Sequence, residues 1–240
     1  MRNKNTIIEK LKGGIIVSCQ MEKHAPAYSE EIVELLVKAA IWGGAVGLRI
    51  EGSENIKKIR KLTNLPIIGL IKVHTDDSDV FMTPSLAEVK QVIEAGADIV
   101  AIDGTDRLIS GKMGRDIITL IKNKYPDALI FADVRDELDA VASLKLGADF
   151  VAPTFYRFKA DAKSSDSPDW EMFAKMCREC KGLGYVVMEG KIWTPDEAIR
   201  ALHYGAWAVV VGSAITRPHL ITQRFVDHLE GFKEKRGLYY

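Results

Sequence analysis

A lysine and a glutamate are the first residues in this sequence whose types and placement could move a proton. Lys72 closes the apolar run "LPIIGLIKV" (65–73) just before the polar "HTDDSD", and Glu189 closes "YVVME" just before Gly190. An ammonium at a strand end ordinarily snorkels into water along its own methylenes. In a mouth with apolar walls that is shared with other cations, here Arg49 and Arg217, desolvation and like charge favour the neutral amine, which is a general base. A carboxyl following Val187 and Met188, which help to exclude water, supplies the partner acid or base.

Two turns near the C-terminus suit an anion. In "EGKIWTPDEA" Gly190 allows close backbone approach, and Thr194-Pro195 opens a helix; in "GSAITRP" Gly212 and Ser213 offer backbone N–H groups at another helix start. Helix N-termini behind glycine turns favour phosphate. A base, an acid and a phosphate anchor together describe proton transfer on a sugar phosphate.

These groups need elements to position them. The phrases "GGAVGLRI" (43–50), "AGADIVAI" (95–102), "LGADFVAP" (146–153) and "YGAWAVVVG" (204–212) each end a helical pattern at a glycine suited to the left-handed C-cap, with an apolar run directly after. Further apolar runs at 14–20, 66–73, 128–134 and 184–190 bring the strand count to eight. Helical stretches intervene, with Ile32, Leu35, Leu36 and Ala39 on one face and Leu86, Val89 and Ile93 on another. Nearly continuous apolar strands alternating with helices specify a parallel sheet covered by helices. Eight such units in 240 residues, without a linker-like break, predict an α/β fold: one (β/α)₈ TIM barrel over 1–240. No strand leads into a G-x-G-x-x-G turn, so a doubly wound dinucleotide fold has little support.

Chemistry in such a barrel lies at the C-terminal ends of the strands. The polar residues there are Gln20, Arg49, Lys72, Asp103, Asp133, Thr154, Glu189 and the pair Gly212-Ser213. The alternation of side chains between barrel interior and helix layer limits which of them face one mouth.

Composition narrows the partner. Thirty-three basic and thirty-three acidic side chains cancel, so no global field favours nucleic acid or an anionic membrane. A small molecule is expected instead. The N-terminal "MRNKNTIIEKLKGG" lacks the apolar core of a signal peptide, and no uncharged apolar run is long enough to span a bilayer, which points to the cytoplasm. Cys19, Cys177 and Cys180 read as reduced thiols, "CREC" lying in a helical pattern without a second ligand pair. The five histidines share no strand-end pattern and only His74 is near the mouth, so no metal site is expected.

The motifs "LKGGIIVSCQ", "GGAVGLRIEG", "LPIIGLIKV", "AGADIVAIDGTDR", "EGKIWTPDEA" and "AVVVGSAITRP", in this order from residue 11 to 218, resemble the N-acetylmannosamine-6-phosphate 2-epimerases of sialic-acid catabolism. The resemblance implies a cofactor-free TIM barrel like the ribulose-phosphate-binding barrels, which inverts C2 between N-acetylmannosamine 6-phosphate and N-acetylglucosamine 6-phosphate, with a homodimer as its form. It assigns proton handling to Lys72 and Glu189. Substrate contacts fall on Gln20, Arg49, Asp133, Thr154 and Arg217, and phosphate binding on Gly190, Lys191, Gly212 and Ser213.

Some positions depart from the family's pattern. Glu51 stands for an asparagine, "APTFYRFKADAK" places Tyr156 and Arg157 where small residues are usual, and "EGKIWTP" has Lys191 for arginine and Trp193 for asparagine. Base and acid are kept while the walls change, which leaves two alternatives: another sugar phosphate as substrate, or a phosphosugar-binding barrel without turnover. The C-terminal "ITQRFVDHLEGFKEKRGLYY" is expected as an amphipathic helix packing Ile221, Phe225 and Leu229 onto the barrel.

Overall fold

The computed structural model describes residues 3–21, 29–74, 80–109, 111–156 and 167–236. Eight parallel strands close into a barrel: β1 (Ile15–Ser18), β2 (Gly47–Glu51), β3 (Ile67–Leu70), β4 (Ile99–Asp103), β5 (Leu129–Asp133), β6 (Phe150–Ala152), β7 (Tyr185–Glu189) and β8 (Ala208–Val211). Each pairs with its sequence neighbours, and β8 closes on β1 with Val17 opposite Val211. A helix follows every strand, from Glu30–Trp42 after β1 to Pro218–Arg236 after β8.

The repeated helix-to-strand phrase has a specific physical basis. Gly44, Gly96, Gly147 and Gly205 all have φ between 89° and 110°, a region that disfavours a Cβ. The following alanines, Ala45, Ala97, Ala148 and Ala206, donate to the carbonyls of Ala40, Val92, Ser143 and Ala201. This is the Schellman closure, which satisfies otherwise unpartnered helix carbonyls. The aspartate of "GAD" then latches the barrel floor: Asp98 Oδ2 accepts from the Ile67 N–H and Arg60, and Asp149 Oδ2 accepts from the Ile130 N–H and Lys122. "GAD" is therefore an architectural phrase here.

Side-chain alternation sorts the core into two layers. Ile16, Ile68, Phe131, Phe150, Val187 and Val210 fill the barrel, and the N-terminal helix Lys4–Leu11 closes its floor with Ile7, Ile8 and Leu11. Val17, Leu48, Ile67, Val100, Ile130 and Val209 face outward to the helices.

Three expectations are corrected. The run "LPIIGLIKV" is not one strand: β3 ends at Leu70, and Lys72–His74 turns back against Val80–Met82 as a separate antiparallel ribbon. Apolar composition cannot register this change of partner. The helix Glu30–Trp42 buries Val33, Val37 and Ala40, while Leu35 is exposed. In the C-terminal helix Phe225 and Leu229 are 70% and 59% exposed rather than packed on the barrel.

Candidate active site

The inward register carries the polar strand ends to one place. Counting by twos from core positions, Ile16 leads to Ser18, Gly47 to Arg49, Phe131 to Asp133, Ala152 to Thr154, Val187 to Glu189 and Val210 to Gly212. A cavity of about 660 Å³ opens above the barrel core. Gln20 (after β1), Arg49 (β2), Lys72 (the ribbon) and Thr154 (after β6) line it. So do Glu189, Gly190 and Lys191 at the end of β7, and Gly212, Ser213 and Arg217 after β8.

Of the polar strand-end residues expected from the sequence, Asp103 and Asp133 do not line the cavity; Asp133 is the one to which the resemblance assigns a substrate contact. Its side chain is fully buried, and its Oδ2 accepts a 2.8 Å hydrogen bond from Arg49 Nη2. Arg49, 1% exposed, also donates from Nη1 to Glu189 Oε2 at 2.5 Å and lies 5.1 Å from the Phe131 ring centroid. One guanidinium thus bridges two carboxyl groups in a low-dielectric site. Asp133 meets the arginine rather than the cavity.

This charge balance decides protonation. Burial pushes the Glu189 carboxyl up to about 7 against the pull of Arg49, with the Asp133 charge adding to the rise. Burial also raises Asp133, again opposed by Arg49. For Arg49 burial works against the charge, but Asp133 and Glu189 outweigh it and hold the guanidinium protonated. Thr154 eases both carboxyl groups a little, although its Oγ1 and Asp133 Oδ1 form no well-shaped hydrogen bond among the described residues. A protonated, cavity-facing carboxyl near neutral pH is a competent acid.

The turns after β7 and β8 have the expected construction. Gly190 and Lys191 take φ of 106° and 57° in succession, and a non-glycine residue there carries a strain of about 1–3 kcal/mol. Thr194 caps the next helix in a reciprocal box with Glu197, and Pro195 occupies its first turn. After β8, Gly212 leads into the single turn Ser213–Thr216, pinned to β1 by Thr216 Oγ1 donating to the Ser18 carbonyl at 2.9 Å.

Several lining residues escaped sequence reasoning. Ser18 follows from Gln20 by the two-residue count, and its Oγ accepts from Gln20 Nε2 at 3.0 Å. Met82, whose Sδ is 3.0 Å from Arg49 Nη2, requires the ribbon to be known first. Phe155, also unmarked by the sequence, forms apolar wall with Trp193, which the family pattern already marks as a changed wall position; Tyr156, marked in the same way, has its ring 5.7 Å from Lys191 Nζ. Arg157 lies outside the described residues.

Comparisons with known proteins point one way. Residues 33–231 match the family model described as "NanE: Putative N-acetylmannosamine-6-phosphate epimerase". A "Putative N-acetylmannosamine-6-phosphate 2-epimerase" of Caldanaerobacter subterraneus subsp. tengcongensis is 42% identical over 96% of this chain and 95% of its own. One of the same description from Listeria monocytogenes is 37% identical over 97% and 99%. Among solved structures, the N-acetylmannosamine-6-phosphate 2-epimerase from Clostridium perfringens superposes with a TM-score of 0.86 at 35% identity, covering 95% of this chain and 98% of that one. A thiamine phosphate pyrophosphorylase from Pyrococcus furiosus, 21% identical with a TM-score of 0.58 over 87% and 89%, shares the fold.

Proposed function

The chain belongs to the N-acetylmannosamine-6-phosphate epimerase family, and from that premise we propose that it interconverts N-acetylmannosamine 6-phosphate and N-acetylglucosamine 6-phosphate in the cytoplasm, without a cofactor. Opening of the sugar ring exposes a C1 aldehyde that acidifies the C2 proton. Lys72, as the neutral amine, takes that proton; the C–H electron pair moves toward C1 and its oxygen as an enolate. Glu189 returns a proton to C2. The step balances, with Lys72 left as ammonium and Glu189 as carboxylate beside the Arg49 guanidinium. Gly190, Lys191, Gly212, Ser213 and Arg217 hold the phosphate, while Gln20 and Thr154 orient the open chain. Lys191 acts as a point charge, without the bidentate fork of an arginine.

The observation that carries this reading is the Glu189 carboxyl, raised to about 7 by burial and held by Arg49 on the wall that Lys72 also lines. Proton NMR in D₂O with N-acetylmannosamine 6-phosphate tests it. Wild-type protein should build the N-acetylglucosamine 6-phosphate anomeric signal, and Lys72→Ala should slow it by about 10²–10⁴-fold while still folded. Undiminished turnover by that variant would remove Lys72 from the chemistry. Binding without turnover by the wild type would favour a phosphosugar-binding barrel.

A homodimer is part of the same proposal. The C-terminal helix Pro218–Arg236 exposes Phe225 and Leu229, and the helices on either side of its expected slot expose Leu35 and Trp42 (93%) on one side and Ile199 on the other. A second copy of this chain would cover these apolar faces.

A further inference from the structure

Lys72 does not belong to the barrel wall, so something outside the wall must hold it still. Its ribbon is closed at the base by a two-way bond: the Thr83 N–H donates to the Ile71 carbonyl at 2.8 Å, and the Ile71 N–H donates to Thr83 Oγ1 at 3.1 Å. Thr83 is buried and adopts φ +48°, an outlier for a β-branched residue. Lys72 pairs with Met82 across the ribbon, and Val73 with Phe81. Cross-strand partners share a face, so Lys72 and Met82 face the cavity and Phe81 faces away from it.

The Phe81 face meets Arg107. The Arg107 guanidinium lies 4.8 Å from the Phe81 ring centroid and 4.9 Å from that of Phe155, which itself follows Thr154 on the cavity wall. It also engages Asp103, the buried carboxylate at the end of β4, to which it donates from Nη2. Asp103 Oδ1 accepts from the Thr105 N–H at 2.9 Å and the Thr105 hydroxyl at 2.6 Å. Asp103 therefore stands in the inward register and yet does not line the cavity; it fixes the guanidinium instead. A planar cation against two rings, tied to a rigid strand end, resists displacement in a way a flexible ammonium does not.

We infer that Arg107, oriented by Asp103, is a positioning residue that clamps the Lys72 ribbon from behind through Phe81. The inference rests on the proposed role of Lys72 as base. Misplacing a reacting group by about 1 Å costs on the order of 10²-fold in rate, so the clamp acts on turnover rather than on substrate affinity.

The test is steady-state kinetics on the full chain with N-acetylmannosamine 6-phosphate, for Arg107→Ala, Arg107→Lys and Phe81→Leu beside Lys72→Ala, each normalised to folded protein by circular dichroism. Arg107→Ala should lose about 10–100-fold in kcat with KM within about threefold. Arg107→Lys should not restore it, because the ammonium keeps the charge but not the planar stack. Phe81→Leu keeps the Asp103–Arg107 pair and decides the matter if Arg107→Ala does not fold; about a tenfold loss in kcat at constant KM is expected. An unchanged kcat per folded molecule, or a loss confined to KM, would overturn the clamp while leaving Lys72 as base. Full turnover by Lys72→Ala would overturn both.

Discussion

Glu189 changes its properties because of what surrounds it. A carboxyl normally near 4.5 is raised to about 7 by burial, with 12% of its side chain exposed. Between these values the folded chain keeps a proton that the unfolded chain releases. Stability contributed by this group is therefore present below about pH 4.5 and is lost as pH rises toward 7, by on the order of 3 kcal/mol at most. Urea unfolding at about pH 5 and pH 8 should show a steeper decline for the wild type than for Glu189→Gln, whose side chain does not titrate. Equal declines would place the titration elsewhere. Arg49→Ala should be severely destabilising, since it leaves Asp133 and Glu189 buried side by side without their cation, at a cost of about 3–5 kcal/mol.

At the level of elements, glycine serves two separable purposes. Gly69 in β3 would place a Cβ 2.7 Å from Ala97 Cβ and 2.8 Å from both Ile56 Cδ1 and Val92 Cγ1, at the β3–helix contact. Gly69→Ala should destabilise by overpacking, about 1–3 kcal/mol. Gly205 has room, its nearest neighbour being Cys177 Cβ at 3.7 Å, but its φ is +107°. Gly205→Ala should cost about 1–2 kcal/mol through backbone strain alone. Thermal melts distinguish the mechanisms when neighbours are trimmed: Val92→Ala should partly rescue Gly69→Ala and leave Gly205→Ala unimproved. A rescue of both, or of neither, would contradict this division.

At the scale of the whole molecule the exposed apolar faces matter most. Single exposed hydrophobics are ordinary, but Phe225, Val226, Leu229 and Phe232 along one helix are an unburied surface. Multi-angle light scattering should give a mass near twice 26.7 kDa for the wild type, and a doubly substituted Phe225→Glu/Leu229→Glu chain should fall to the single-chain mass. A monomeric wild type would refute the pairing. No helix among the described residues is long and apolar enough to cross a membrane.

Ten site residues named from the sequence's motifs and its family resemblance line the cavity; the eight-fold alternation and the left-handed glycines after four helices are legible in the residue pattern alone. These features are local: helix termination, strand hydrophobicity and two-residue side-chain alternation are properties of short stretches. The tertiary structure alone decided that Asp133 lies behind Arg49, that Lys72 sits on a ribbon held near Arg107, and that Phe225 and Leu229 face away from the barrel. Each of these depends on which distant segment becomes a neighbour. An apolar run records that a residue will be buried or paired, but not by what. Arg49 and Glu189, 140 positions apart in the chain, are brought to hydrogen-bonding distance only when the barrel closes, and it is this closure that turns an ordinary glutamate into an acid poised near neutrality.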